Sequence, residues 1–405
     1  MTLARDRIVN LLKDLVEKQY RSLYLGLFAN CVVIGIGMTI VGATLPKMLT
    51  EFSWSYTAAG AVIAAGSLGD FASSFTCGVL IERIGPKAVM VGGIILQTLA
   101  LAFFAAIPSV VLNFILSLLI GFGQGGIDVT VNYSVARMQK RGESHPMSIM
   151  HSAYAIGSVV GPIVIGLIIR SGLHWQLVYR GVGGISVLVG VTMLALPFRR
   201  IGIARGETTS EVESESPARL PMFYIAALIL FLYVGLEFGS SKWVGEYFVT
   251  VLGSQASVGA FMVSVFWTGL LVGRLGIPIL FRKVEHGVLL LSLSLVATTS
   301  VAFSILVRSP VVAGIGFFVA GLGCSAIYPL VMTIVGHYFR KGQGKAIGFA
   351  ATGGAVGALV FPFAMAAVSE AVGLKNGFWL YVLLGLVMSA VAATVVPMVR
   401  HREKA

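Results

Sequence analysis

Charge is what this sequence has least of. Acidic and basic residues together make up 11% of 405 positions, where a soluble domain carries about a quarter. Cysteine is also scarce. Cys31, Cys77 and Cys324 are the only three, each inside an apolar run, which argues against a disulfide framework and against a metal site. No His-Glu-x-x-His, Gly-x-Ser-x-Gly or phosphate loop occurs, so nothing calls for an enzyme or a cofactor. A signal peptide is missing as well: acids interrupt the N-terminus, and no short apolar core precedes a small-residue cleavage site. The net charge of +12 comes from scattered bases without interleaved aromatics, which excludes a nucleic-acid partner.

What remains is apolar. Hydrophobic residues fill 57% of the chain and the mean hydropathy is +0.91, the composition of an integral membrane protein. Runs near the ~20 residues needed to cross a bilayer are expected at 22–48, 56–80, 88–107, 110–138, 147–170 and 176–198. They resume at 221–250, 257–281, 287–306, 310–337, 345–369 and 376–399. The fold class is thus an all-α membrane protein with two bundles of six helices, over 21–198 and 221–400. Between them, 199–220 is polar and aperiodic, a tether. Residues 1–20 carry an apolar helical stripe backed by Arg5, Arg7, Lys13 and Lys18, which reads either as a surface helix or as a frayed tail; 401–405 is a short tail. With the N-terminus in the cytoplasm, twenty-two of the Lys and Arg residues fall inside and five outside, so both termini are placed inside.

One stretch carries the polar chemistry. Gly121-Phe-Gly-Gln-Gly-Gly-Ile-Asp128-Val-Thr-Val-Asn132 lies mid-membrane, with Gln124, Asp128 and Asn132 on one helix face. Glycines 121, 123 and 125 leave a groove for close helix contact. Two hundred residues on, Gly321, Gly323, Ile327 and Val331 match Gly121, Gly123, Ile127 and Val131, the mark of a duplicated chain.

A carboxylate at such depth costs about 2.5–3.5 kcal/mol or more, and normally has a task. Low dielectric favours its neutral form, so Asp128 is the leading proton-carrying candidate; its structural alternative is a carboxyl that locks neighbouring spans together. Glu237 sits sixteen residues into span seven, roughly 24 Å along it. Tyr233 precedes it and Trp243 follows, a setting that suits a sugar: hydroxyls bond the carboxylate while a C–H face stacks on the ring. A protonated acid bonded to a neighbouring helix is the alternative. Asp70, mid-span in span two, could carry a proton, or pair with Arg274 or a backbone donor. Lys242 and Glu246, four residues apart near the outer end of span seven, read as a rim ion pair. Arg274 follows Gly269-x-x-x-Gly273 and needs an acid or helix-end carbonyls. Asn30, Gln124, Asn132, His151, Ser325 and Tyr328 are candidate solute contacts; for His151 at the interface, a headgroup contact is the alternative.

The loop Gly78-Val-Leu-Ile-Glu82-Arg83-Ile-Gly85-Pro-Lys87 resembles the G-x-x-x-[D/E]-R-x-G-x-[K/R] signature of the major facilitator superfamily, and with six plus six spans the resemblance covers the chain. Within it, Gly121 to Asp128, Met150-His151-Ser-Ala-Tyr154, Phe231 to Glu237, Phe266 to Arg274 and Gly321 to Thr333 look like the branch of the fucose permease, glucose/mannose permease and sodium-dependent glucose transporters. The resemblance implies two bundles rocking about a central cavity, Asp128 as coupling carboxylate, Glu237 at the solute site, and Gly78, Glu82, Arg83 and Gly85 as gating positions. Gly42 departs from it, standing where the fucose permease pattern has an aspartate. Gly157-x-x-x-Gly161-Pro162-x-x-x-Gly166 is similar to the antiporter signature of multidrug exporters. The expectation is a monomeric, inner-membrane, proton-coupled sugar symporter, with Na+ as the alternative ion and a proton-coupled drug or metabolite exporter as the alternative function. Its partners would be a small solute and membrane lipid.

Overall fold

The computed structural model describes residues 16–138, 145–201, 218, 220–339 and 342–403. Most of the segment 1–20, most of the tether 199–220 and the end of the tail 401–405 lie outside the described residues. The first six long helices are α1 (Arg21–Phe52), α2 (Tyr56–Ile84), α3 (Pro86–Phe103), α4 (Val110–Met138), α5 (His145–Arg170) and α6 (Leu177–Ala195). The second six are α7 (Pro221–Glu246), α8 (Ala256–Leu280), α9 (His286–Leu306), α10 in two pieces (α10a, Pro310–Cys324; α10b, Ile327–Tyr338), α11 (Gln343–Val372) and α12 (Trp379–Glu403). All twelve are long and apolar enough to cross a membrane, and no strand occurs among the described residues.

The helix ends differ from the expected spans where local chemistry intervenes. Span three stops at Phe103, not 107, because Ala105 takes a left-handed conformation at φ 56°. Asn113 fixes that loop: its Oδ1 accepts the Ala105 N–H at 2.7 Å and its Nδ2 donates to the carbonyls of Ile107 and Ser109. Span seven is α-helical to Glu246 and then winds wider, as a π turn over Tyr247–Val251. Span ten is broken at Ser325 and Ala326. Pro86, Pro221 and Pro310 each open a helix, where the missing N–H costs nothing.

Glycine sets the packing, and it does so twice in the same register. A Cβ on Gly69 of α2 would strike the Leu118 carbonyl of α4, and one on Gly121 the Gly66 carbonyl. Two hundred residues later, Gly269 of α8 meets the Phe318 carbonyl of α10a, and Gly321 the Phe266 carbonyl. Gly123 lies against Gln97 of α3 and Gly323 against Ala297 of α9, again 200 apart. Without a hydrophobic drive between helices in lipid, such backbone-to-backbone approach is what holds spans together. The matched pairs Gly121/Gly321 and Gly123/Gly323 read from the sequence are therefore the visible part of a repeated set of contacts.

Contacts divide the chain into two compact units that do not follow the halves of the sequence. The first comprises 1–40, 65–161 and 176–207; the second comprises 41–64, 162–175 and 208–405. Within the second unit, the last turns of α1 and the start of α2 pack on helices of the second half. Gly42 lies against the Ser241 carbonyl of α7, and Gly60 against Ala366 of α11. The Thr57 N–H donates to Glu370 at 3.1 Å.

Candidate functional site

In the first unit the glycine groove of α4 does two things. It lets α2 approach, so that Asp70 and Ser73 lie over Gly125, and it leaves Asp128 one turn further along. Asp128 is then gripped from two sides. The Tyr154 hydroxyl on α5 donates to Oδ1, and Asn132 Nδ2 donates to Oδ2 at 3.0 Å. Cys31, wholly buried on α1, lies beside Tyr154, and His151 stacks on the Tyr154 ring with centroids 5.5 Å apart. Both Asp70 and His151 stand near enough for their charges to act on Asp128. Asp70 is surface-exposed on α2. One acid, one tyrosine and one amide thus form a connected group, with a second acid and a histidine at its edge.

Other candidates from the sequence lie apart from this group. Gln124 shares the face of Asp128, but its Nε2 is buried against Gly37 of α1 and has no hydrogen-bond partner. Asn30 Nδ2 turns back on its own helix to the Gly26 carbonyl at 3.1 Å.

In the second unit Glu237 is buried on α7 and accepts a hydrogen bond from the Tyr233 hydroxyl one turn earlier. The Arg274 guanidinium of α8 lies within electrostatic reach of Glu237 and of the buried Cys324. Its Nε donates at 3.3 Å to the Ser325 carbonyl, in the break of α10 where helical bonding lapses. Ser325 itself is buried, its hydroxyl donating to the Leu322 carbonyl; Tyr328 is half-buried in the first turn of α10b. Trp243 differs from the expected stacking platform. It is fully buried, its Nε1 donates to the Pro362 carbonyl at 3.2 Å, and its ring packs edge-on against Tyr56, leaving no face for a solute in this arrangement.

Glu246, read as one half of a rim ion pair, is buried, and its Oε1 accepts from the Thr250 hydroxyl. Thr250 stands four residues on, within the π turn that follows Glu246.

Of the loop signature, Glu82 and Arg83 are exposed and Gly78 has open space around it. Gly85 has φ 85°, which a side chain resists, and so makes the turn into α3. Lys87 Nζ reaches the Leu194 carbonyl at 2.5 Å and caps the end of α6.

Twelve membrane helices, a twofold-repeated glycine frame and carboxylates held inside it define a polytopic membrane carrier. The chain belongs to the Major Facilitator Superfamily, whose profile matches residues 27–320 and 286–405. It is a transporter, not an enzyme, and a multi-pass integral membrane protein. It is 22% identical over 335 residues to the glucose/mannose transporter GlcP of Bacillus subtilis, covering 79% of this chain and 81% of that one. Other relatives matched across most of the chain carry no assigned substrate. Its fold is similar to that of the nucleoside transporter NupG (TM-score 0.76, 13% identity, 93% and 98% covered). It is also similar to a variant of the Escherichia coli fucose:proton symporter FucP (TM-score 0.62, 19% identity, 93% and 99% covered).

Proposed function

We propose that this transporter couples the uptake of a sugar, or a sugar-like polar solute, to inward proton flow, with both termini in the cytoplasm. The observation that carries the reading is the Asp128–Tyr154–Asn132 group. A membrane carboxylate held by neutral donors on a neighbouring helix and its own can change protonation without breaking an ion-pair network, and the change alters a hydrogen bond between two helices. Asp70, beside it, is the second acid on which a proton can reside; Glu237, with Tyr233 and Arg274, is the solute-binding carboxylate. Asn132, His151 and Tyr328 are the polar groups assigned to line the path.

In this scheme protonated Asp128 and bound solute together favour closure at the outer end and opening inward, and low proton activity inside then discharges both. Each proton moved through 100 mV contributes about 2.3 kcal/mol, on the order of fifty-fold accumulation. GlcP and FucP, by name a glucose/mannose transporter and a fucose:proton symporter, support the substrate class and the ion. Fucose itself is not favoured, because Gly42 stands where the fucose permease pattern has an aspartate, and the Ser241 carbonyl leaves no room for a side chain there. The antiporter-like glycines have packing roles: Gly157 lies against the Val32 carbonyl and Gly161 against Ile36 and Thr39 of α1. An exporter reading therefore gains nothing from them.

The test is uptake into proteoliposomes holding purified protein, with sugars, nucleosides and organic acids screened under an inward pH gradient and again under a sodium gradient. Sugar accumulation that requires the pH gradient and ignores sodium is expected. Sodium dependence, or accumulation of organic acids alone, would overturn the assignment.

A further inference from the structure

Cys31 is a buried thiol that the coupling scheme leaves without a task. It is a free cysteine on α1, fully buried, and a hydrogen-bond partner of Tyr154. Its place follows from the way α1 crosses α5. A Cβ on Gly35 would strike the Tyr154 carbonyl, one on Gly157 would strike the Val32 carbonyl, and Ser158 Oγ donates to the Gly35 carbonyl at 3.2 Å. Tyr24, seven residues before Cys31 on the same face, donates its hydroxyl to the Pro146 carbonyl at 2.7 Å. Tyr24, Cys31 and Gly35 thus form one stripe of α1 laid along α5, and the thiol meets the Tyr154 side chain one turn from the closest approach.

The supply of hydrogens fixes the direction of the bonds. A tyrosine hydroxyl has one hydrogen and two lone pairs, and the hydrogen of Tyr154 goes to Asp128. Its lone pairs are left to accept, and the Cys31 thiol supplies the hydrogen. We propose that Cys31 is a positioning residue for proton coupling: it holds the Tyr154 hydroxyl on Asp128, and so brings α1 into a group otherwise built from α4 and α5. A hydroxyl that accepts one hydrogen bond donates the next more strongly. Removing the thiol therefore loosens the grip on the acid without touching the acid. The titratable groups around the pair are Tyr24 from α1, Asp70 from α2, Asp128 from α4 and His151 from α5. This role rests on the coupling assignment of Asp128 in the proposed function.

The test is infrared spectroscopy on the purified full-length protein in liposomes, with no solute present. The S–H stretch missing from Cys31→Ser belongs to Cys31, and it should move toward the free-thiol position in Tyr154→Phe. The carboxylic C=O band missing from Asp128→Asn reports proton binding at Asp128 through a pH series. Cys31→Ala should displace its midpoint in the same direction as Tyr154→Phe, by about two- to tenfold in proton affinity, the range of one ordinary hydrogen bond. Cys31→Ser leaves nearly the same cavity as Ala but restores a donor, and should return the midpoint toward that of the parent. In the Tyr154→Phe background, Ala and Ser should behave alike. A parental midpoint in Cys31→Ala, or an equal displacement in Ala and Ser, overturns the positioning role and leaves the symport reading standing. A protein with no titrating carboxyl band at Asp128 overturns both.

Discussion

The Tyr154 hydroxyl on α5 donates to the Asp128 carboxylate on α4, so one hydrogen bond ties the coupling candidate to a helix that also packs on α1 through Gly157. A proton loaded on Asp128 would change the acceptor of that bond, on a helix that meets α1 backbone to backbone.

Replacing Asp128 by Asn keeps the shape and removes the titration. Accumulation driven by a pH gradient should fall to the level of protein-free liposomes, while exchange of labelled for unlabelled solute at equal pH continues. Counterflow and gradient-driven uptake on the same preparation decide it. Full uphill uptake by the variant would remove Asp128 from the coupling role.

Tyr154→Phe deletes one hydrogen bond to a charged acceptor, a loss of about 1.5–3 kcal/mol, or roughly ten- to a hundredfold in rate if the bond acts in the coupled step. Asn132 still holds the other oxygen. Gradient-driven uptake should slow by that order while exchange changes little, and the pH–rate profile should be displaced. A wild-type profile would reduce Tyr154 to packing.

Glu237→Gln keeps the volume and replaces a charged acceptor by a neutral amide. Solute affinity should fall by about ten- to a hundredfold, from the same hydrogen-bond range, with pH coupling retained. Solute-induced thermal shift reads affinity directly. Tyr233→Phe should give a smaller loss in the same direction, since it only releases the carboxylate's neighbour. Unchanged binding in both would exclude this group as the solute site.

The glycine register makes a paired prediction about stability. Ala at Gly121 or at Gly321 puts a methyl group onto a backbone carbonyl of α2 or α8, which cannot yield as a side-chain tip would. Each should cost about 1–3 kcal/mol or more and lower both yield and melting temperature. Ala at Gly92 or Gly348 meets no atom within 4 Å and, being in a helix, should be neutral or stabilising by about 0.5–1 kcal/mol. Equal behaviour of the two sets would show that the close crossings do not limit stability.

The helices and the duplication are legible in the sequence because both are written in period and spacing: apolar runs of bilayer length, and glycines recurring at one offset. The Tyr233–Glu237 bond is within reach for the same reason, being one helical turn. Nothing in the sequence joins Tyr154 to Asp128, because the partners lie 26 residues apart on different helices, and no rule of local spacing connects them. Glu246 shows a related limit: spacing alone offers it Lys242 four residues back and Thr250 four residues on, and only the side-chain geometry shows that Thr250 bonds the carboxylate. Trp243 illustrates a third limit: sequence places an aromatic near an acid, but only packing says whether its faces are already covered.

The 200-residue register also separates what the two copies share from what they do not. Asp70 has its counterpart in the fully buried Leu270, and Tyr328, at the offset of Asp128, follows a break in α10 that α4 lacks. The close glycine crossings are common to both copies, whereas these acids belong to the first alone. The duplicated frame thus fixes where helices touch and leaves each copy free to differ in its polar chemistry.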